Sequence, residues 1–268
     1  MIVIYEVMKH IWFAIIGIVV LCMCVGIFNY MYVFGVSWNL SDYGTLTISG
    51  RGEDIPSFSF RGDWEIEEVV IKQGITSIED GAFAGCPNLT SITIPKTVTK
   101  IEDEAFYGCS GLKSIKVKDG NPKYDSRNYC NAIIETESNT LILGCENTVI
   151  PNSVKWIGDC AFGDCSKLTS ITIPNSVTGI GEKAFYGCSG LTSIAIPESV
   201  TSIGRWAFYG CSNLRSITCL ARIPPDIDIE YGFSWDNHSI ISLYVPAESV
   251  EAYKCNPPWS WFNIEAIK

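Results

Sequence analysis

The dipeptide Ala-Phe recurs at Ala82-Phe83, Ala105-Phe106, Ala161-Phe162, Ala184-Phe185 and Ala207-Phe208, with spacings of 23, 56, 23 and 23 residues. Two further markers keep the same phase: Cys86, Cys109, Cys165, Cys188 and Cys211, then Leu89, Leu112, Leu168, Leu191 and Leu214. A fixed period of this length means that one supersecondary unit is repeated. A unit so short cannot bury its own apolar edge and must stack on its neighbours.

Each leucine opens a segment of the form L-x-x-I-x-I, clearest at Leu89–Ile94, Leu168–Ile173 and Leu191–Ile196. The last two apolar residues are two apart, so they share one face of a strand, and Ser91 and Thr93 point outward. Pro95, Pro174 and Pro197 follow at once and stop the ladder for want of a donor; Pro151 holds the same place. Val98 to Ile101 supplies two more inward side chains, Glu-x-x-Ala-Phe a single helical turn, and Gly-Cys closes the circuit. The fold class that follows is a β-rich, right-handed repeat solenoid with short parallel strands and one helical turn per 23 residues.

The unit from Ile173 to Ser193, IPNSVTGIGEKAFYGCSGLTS, resembles the BspA-type leucine-rich repeat of bacterial surface proteins. Trp38-Asn39-Leu40 followed by Gly44 to Gly50 is similar to the hairpin that often precedes such repeats. Leu243-Tyr244-Val245-Pro246, Ser249 to Lys254 and Trp259 resemble a closing segment of Bacteroidetes members. The resemblance implies an exported, non-catalytic scaffold for recognition or adhesion, with a host matrix protein, a partner-cell surface or a glycan as partner. The alternative is a structural or accessory envelope component with no dedicated ligand.

The expected layout has a leader at 1–37, a capping hairpin at 38–63, repeats at 64–219 with a hairpin insertion at 119–147, and a terminal rung and cap at 220–268. Ile11 to Ser37 carries no charge. Its apolar part is long for a signal peptide and short for a membrane span, so a cleaved signal ending at Ser37 and an uncleaved anchor both stand. Met8 is a plausible alternative start. The insertion reads as two strands around Glu137-Ser138, and Arg222 to Asn237 as a loop before a last strand, Leu243 to Val245.

Composition removes several classes. With 19 basic and 29 acidic residues the net charge is −10, which opposes binding to nucleic acid. Only His10 and His238 are present, so most histidine catalysis and metal binding is excluded. No nucleophile elbow, P-loop or dinucleotide fingerprint occurs. A non-enzyme without a cofactor, acting as a monomer, is expected.

The phased cysteines read as small core residues. Cys130 and Cys145 differ: a turn centred between Glu137 and Ser138 sets them opposite each other, within reach of a disulfide. The other reading gives Cys145 the leucine slot of its own rung. Glu102-Asp103-Glu104 and Asp226, Asp228 and Glu230 read as solvated acidic turns. Two surface columns are candidate binding sites. One is the outward strand face, a Ser/Thr strip including Thr90 and Thr172 and broken by Lys113, Lys116 and Arg215. The other is Tyr107, Tyr186 and Tyr209, which either stack on sugars or pack between adjacent turns.

Overall fold

The computed structural model describes residues 30–33, 35–227, 233 and 240–268. They form a β-solenoid of about nine turns with mostly parallel strands. The L-x-x-I-x-I segments build one ladder. Before the insertion it runs through Thr45–Ser49, Glu68–Ile71, Ser91–Ile94 and Ser114–Val117; after it, through Ser193–Ile196, Ser216–Cys219, Ser242–Val245 and Asn263–Ala266. A second ladder follows each proline, through Glu53–Ile55, Ile75–Ile78 and Lys100–Ile101, then from Thr140–Leu143 through Trp156–Ile157, Gly179–Ile180 and Ser202–Ile203 to Asp226–Ile227. Burial alternates along the first ladder, with Ile92 and Ile94 inside while Ser91 and Thr93 face outward, as the period-two pattern requires.

The third side of each coil is a column of rings. Phe60, Phe83 and Phe106 stack at 5.3 Å, and Phe162, Phe185, Phe208 and Phe233 at 5.1 to 5.3 Å. The amide of one phenylalanine donates to the alanine carbonyl of the next coil, as from Phe83 to Ala105 at 2.8 Å. The phased thiols lie beside this column and donate to the phenylalanine carbonyl of the preceding coil: Cys109 to Phe83, Cys188 to Phe162 and Cys211 to Phe185, at 3.1 to 3.2 Å. These cysteines therefore fill a narrow core position and satisfy a carbonyl that a methyl group would leave with one partner fewer.

Two positions per coil take left-handed backbone. Two residues before each phenylalanine stand Phe58, Gly81, Glu104, Cys160, Lys183 and Trp206, with φ between 53° and 59°. Two residues after it stand Gly62, Gly85, Gly108, Asp164, Gly187 and Gly210. Glycine suits the second position because coils approach closely there: a β-carbon on Gly210 would lie 3.2 Å from Gly187 Cα.

Both ends differ from the expected boundaries. Tyr30–Val33 pairs antiparallel with Val36–Leu40, which pairs antiparallel with Thr45–Ser49. The first cap thus begins ahead of Trp38, and cleavage after Ser37 would divide the strand Val36–Leu40. The reason is that Tyr30, Tyr32, Val33 and Val36 suit a strand as well as an apolar leader. Residues 1–29 of the expected leader lie outside the described residues. Among those described, no helix is long and apolar enough to cross a membrane. At the other end Leu243–Val245 is not the last strand, because Asn263–Ala266 adds one more rung. Asp226–Ile227, within the expected loop, joins the second ladder. Between these rungs a helix, Val250–Lys254, covers the core with Tyr253 and Trp259, both fully buried. The Tyr253 hydroxyl donates to Ala221 O at 2.9 Å, and Trp259 Nε1 to Pro225 O at 2.8 Å. The polar tips of both rings are thereby satisfied.

The inserted hairpin is present, as Ile133–Glu135 against Thr140–Leu143. Glu135 faces Thr140 and Ile134 faces Leu141, as a turn centred at 137–138 requires, but Ile133 then faces Leu143. The bulge at Ile142 moves every later pair by one residue. Asn131, not Cys130, is consequently the neighbour of Cys145, and its Nδ2 lies 3.4 Å from Cys145 Sγ. The disulfide, one of the two readings of this pair, is not formed. Cys130 and Cys145 are both free and buried, and they belong to the two different core clusters that meet at the insertion.

Candidate functional site

The inserted coil spans only part of the circuit. Its second strand joins the second ladder, and Gly144 takes the phenylalanine position, donating to Ala161 O at 2.8 Å as the phenylalanines of other coils do. One residue further round, the insertion is absent: Gly108 N donates directly to Gly163 O at 3.2 Å. Lys183 Nζ reaches Glu104 Oε1 at 3.1 Å, across 79 residues of sequence. A cleft of about 230 Å³ opens on this side, lined by Glu102, Asp103, Glu104, Trp156, Asp159 and Cys160, among others. Burial, then the nearby Asp159 and Glu102 carboxylates, pushes the Asp103 carboxyl above its ordinary value. Burial, then Glu104, pushes the Cys160 thiol up to about 12, so it stays protonated and is a poor nucleophile. Among the described residues no cluster of His, Cys, Asp and Glu is fit to hold a metal ion. Of the second acidic group, only Asp226 falls within the described residues.

The tyrosine column is continuous in a way that the sequence hides. The coil at 161–165 carries Gly163 where its neighbours carry tyrosine. Tyr107 lies over it, since a β-carbon there would be 2.6 Å from Tyr107 Cδ2. Tyr107 then meets Tyr186 at 6.3 Å, and Tyr186 stacks on Tyr209 at 5.5 Å. Burial and the Asp164 carboxylate raise the Tyr107 phenol far above its ordinary value. Tyr107 meets Tyr186 at a tilt of 51° and Tyr186 stacks on Tyr209, so these rings touch one another across adjacent coils, while Tyr209 keeps an exposed edge.

On the strand face, Thr90 and Thr172 are exposed. Thr90 Oγ1 donates to Glu67 O at 2.8 Å, and Thr172 bridges to Ala195. Lys113 and Lys116 are exposed on the rung Ser114–Val117. Arg215 does not extend their patch. It belongs to the sheet beyond the insertion, and its guanidinium folds back on its own turn, donating to Ser212 O at 2.9 Å and Leu214 O at 3.0 Å.

What lies beside Lys116 is the inserted segment. Ile115 N donates to Asn131 Oδ1 at 2.7 Å and Val117 N to Ser126 Oγ at 2.9 Å, so side chains take the place of the missing parallel strand. A groove of about 500 Å³ results, lined by Lys116, Lys118, Asp119, Asp125, Arg127 and Tyr129 with their neighbours. Arg127 is held by Asp125 at 2.7 Å and Asn139 at 2.7 Å. Among the described residues Lys116 and Lys118 make no ion pair. Tyr129 is 98% exposed, yet its backbone is left-handed (φ 53°), between Asn128 and Asn131, both at φ 58°. Sequence reasoning passed over Lys118 and Tyr129. The asparagines flanking Tyr129 were the available signal, because asparagine tolerates this backbone best after glycine.

No curated protein shows significant similarity to the sequence. Among solved structures, a leucine-rich cell surface protein of Faecalibacterium prausnitzii is 19% identical, with a TM-score of 0.52 over 89% of this chain and 95% of its own. A leucine-rich repeat protein of Eubacterium ventriosum is 21% identical, with a TM-score of 0.47 over 89% of this chain and 84% of its own. The first shows that the fold is shared. The BspA type leucine rich repeat region is matched in six copies across residues 53–141 and 133–251. Together with the coil geometry, that match makes this chain a member of the BspA-type leucine-rich-repeat family.

Proposed function

We propose that the chain is a non-catalytic recognition or adhesion module, exported and acting at the bacterial cell surface on a protein or glycan ligand. The observation that carries this reading is the contrast between the two sides of each coil. Inward positions repeat the same residues, Ala, Phe, Cys, Leu and Ile, while the outward positions of the strand face change between rungs, from the half-buried Thr93 and Thr218 to the exposed Lys116 and Ala195. A scaffold that only needed to fold has no requirement for that variation. The groove against the inserted segment interrupts the face at the rung carrying the lysines. The similarity to a relative described as a cell surface protein supports the location.

Two measurements test this. Protease shaving of intact cells should remove the protein while cytoplasmic markers persist. The purified full chain should bind saturably to one class of matrix protein, glycan or partner cell on arrays. Protection from shaving, or an absence of saturable binding across all three arrays, would overturn the proposal in favour of an internal or purely structural role.

A further inference from the structure

We propose that the groove between Ser114–Val117 and the inserted segment binds an anionic glycan, with Lys116 and Lys118 contacting its carboxylate or sulfate groups and Tyr129 stacking on a sugar ring. This deepens the recognition reading and rests on it.

Three observations converge on this place. The first is backbone strain with no internal return. A bulky residue in the left-handed region is disfavoured, and such outliers persist where surrounding structure enforces them. Here Ser126 Oγ donates to Ala132 O at 2.7 Å, Arg127 is bound to Asp125, Asn139 and Ser153, and Asn131 Nδ2 donates to Lys113 O at 2.6 Å. These contacts hold the loop on both sides of Tyr129. Its ring makes no contact with another ring and stands in solvent. The left-handed backbone at Phe58, Glu104, Lys183 and Trp206 belongs to the repeat; that at Tyr129 does not.

The second observation is charge. Lys116 and Lys118 are exposed and, among the described residues, unpaired, on a chain of net charge −10. Asp125 is neutralised by Arg127, which leaves Asp119 as the single uncompensated carboxylate against two ammonium groups. Lys116 and Lys118 are two residues apart on an extended segment, so they project to one side about 6.8 Å from each other. That arrangement suits successive anionic groups on an extended polymer.

The third is shape. The groove is open, and its lining is mostly polar, with Val117, Tyr124 and Tyr129 as the apolar part. A peptide side chain needs an apolar pocket for its energy. A sugar ring needs one flat aromatic face with polar neighbours, which Tyr129 and the exposed Asn128 supply. An acidic glycan is therefore the occupant favoured over an acidic peptide.

The test uses the full chain with heparin and hyaluronate as sulfate- and carboxylate-bearing probes, neutral dextran as control, and poly-glutamate as the peptide competitor. Binding is read by interferometry at low and at physiological salt. Heparin or hyaluronate should bind, dextran should not, and binding should weaken as salt rises. Lys116→Glu with Lys118→Glu should reduce affinity at least tenfold, whereas Lys254→Glu in the closing helix, at the far end of the coil stack, should leave it unchanged. Tyr129→Gly should reduce binding several-fold while the melting temperature holds or rises, because glycine accepts the left-handed backbone; a merely structural tyrosine would not give that split.

Glycan binding that is unaffected by all three groove substitutions overturns the groove and leaves surface recognition standing. Poly-glutamate binding equal to or tighter than the glycans overturns the glycan. If neither glycan binds, the proposal fails, while the shaving and array measurements judge the broader function separately.

Discussion

The ring of Phe162 lies over Gly144, and a β-carbon at that glycine would meet ring carbons at 2.2 and 2.4 Å. Gly144 holds the phenylalanine position of the inserted coil, so the aromatic column is interrupted at the rung where the insertion enters. Gly144→Ala should therefore force Phe162 from its place and destabilise the fold by about 1–3 kcal/mol, the usual range for overpacking. Urea unfolding of the variant checks this; a loss below about 0.5 kcal/mol would mean that the ring can move aside freely.

Phe185 tests the column itself. It is fully buried and stacks on Phe162 at 5.1 Å and Phe208 at 5.3 Å. Phe185→Ala should cost about 3–5 kcal/mol. Thermal melts should show the loss directly, and a change under about 1 kcal/mol would contradict a load shared between coils.

The closing helix is fixed by hydrogen bonds as well as by area. Tyr253→Phe removes the donor to Ala221 O without changing the ring, and should cost about 1–2 kcal/mol. Limited proteolysis should then cut the last rungs, residues 242–268, before the middle of the chain. Cleavage beginning instead within the central coils would show that the cap does not guard this end.

The thiols make two linked predictions. In the native protein Cys255, exposed at the helix end, should alkylate quickly, while Cys109, Cys188 and Cys211 resist and no peptide links Cys130 to Cys145. Mass spectrometry of the non-reduced, alkylated protein reads both. A linked 130–145 pair would falsify the bulged register.

Alkaline stability follows from the same burial. Burial raises Cys165 and Cys211 to about 12 and Cys130 to about 11, above the ordinary thiol value near 9. Between these limits the unfolded chain has lost protons that the folded chain keeps. Stability is thus fully present below pH 9 and declines as pH rises toward 11 and 12. Urea midpoints should fall steadily from pH 9 to pH 11; a flat profile there would mean that the thiols reach water.

Much of the coil was legible because its inward residues are repeated: Ala82, Phe83, Cys86, Leu89, Ile92 and Ile94 announce both phase and facing. The turn of the inserted hairpin was legible too, from Glu137 and Ser138. The bulge at Ile142 was not, since Ile133-Ile134 and Leu141-Ile142-Leu143 are apolar on both faces and offer no alternation to betray a slip of one residue. That slip alone separates Cys130 from Cys145. The site was partly legible. Lys116 stood out from its strip by charge, but the return of Arg215 onto its own turn and the exposure of Tyr129 depend on backbone geometry that no spacing records. The place of Tyr107 over Gly163 depends on which coils become neighbours once the insertion is folded aside.

The left-handed site ahead of each phenylalanine is occupied by Phe58, Gly81, Glu104, Cys160, Lys183 and Trp206, with nothing in common among the side chains. At Phe58, Cys160 and Lys183 the amide donates to the next coil in the same way, to Asp80, Glu182 and Arg205 O, so neighbouring coils and not the side chain set the conformation there. The molecule therefore works as a masonry course, in which the bond between bricks, not the brick, sets the angle. A whole 23-residue course can be added or removed and the rows on either side still meet correctly. A part-course, such as the one carrying Gly144, leaves a joint open, and the groove and the cleft of this protein are both found at that joint.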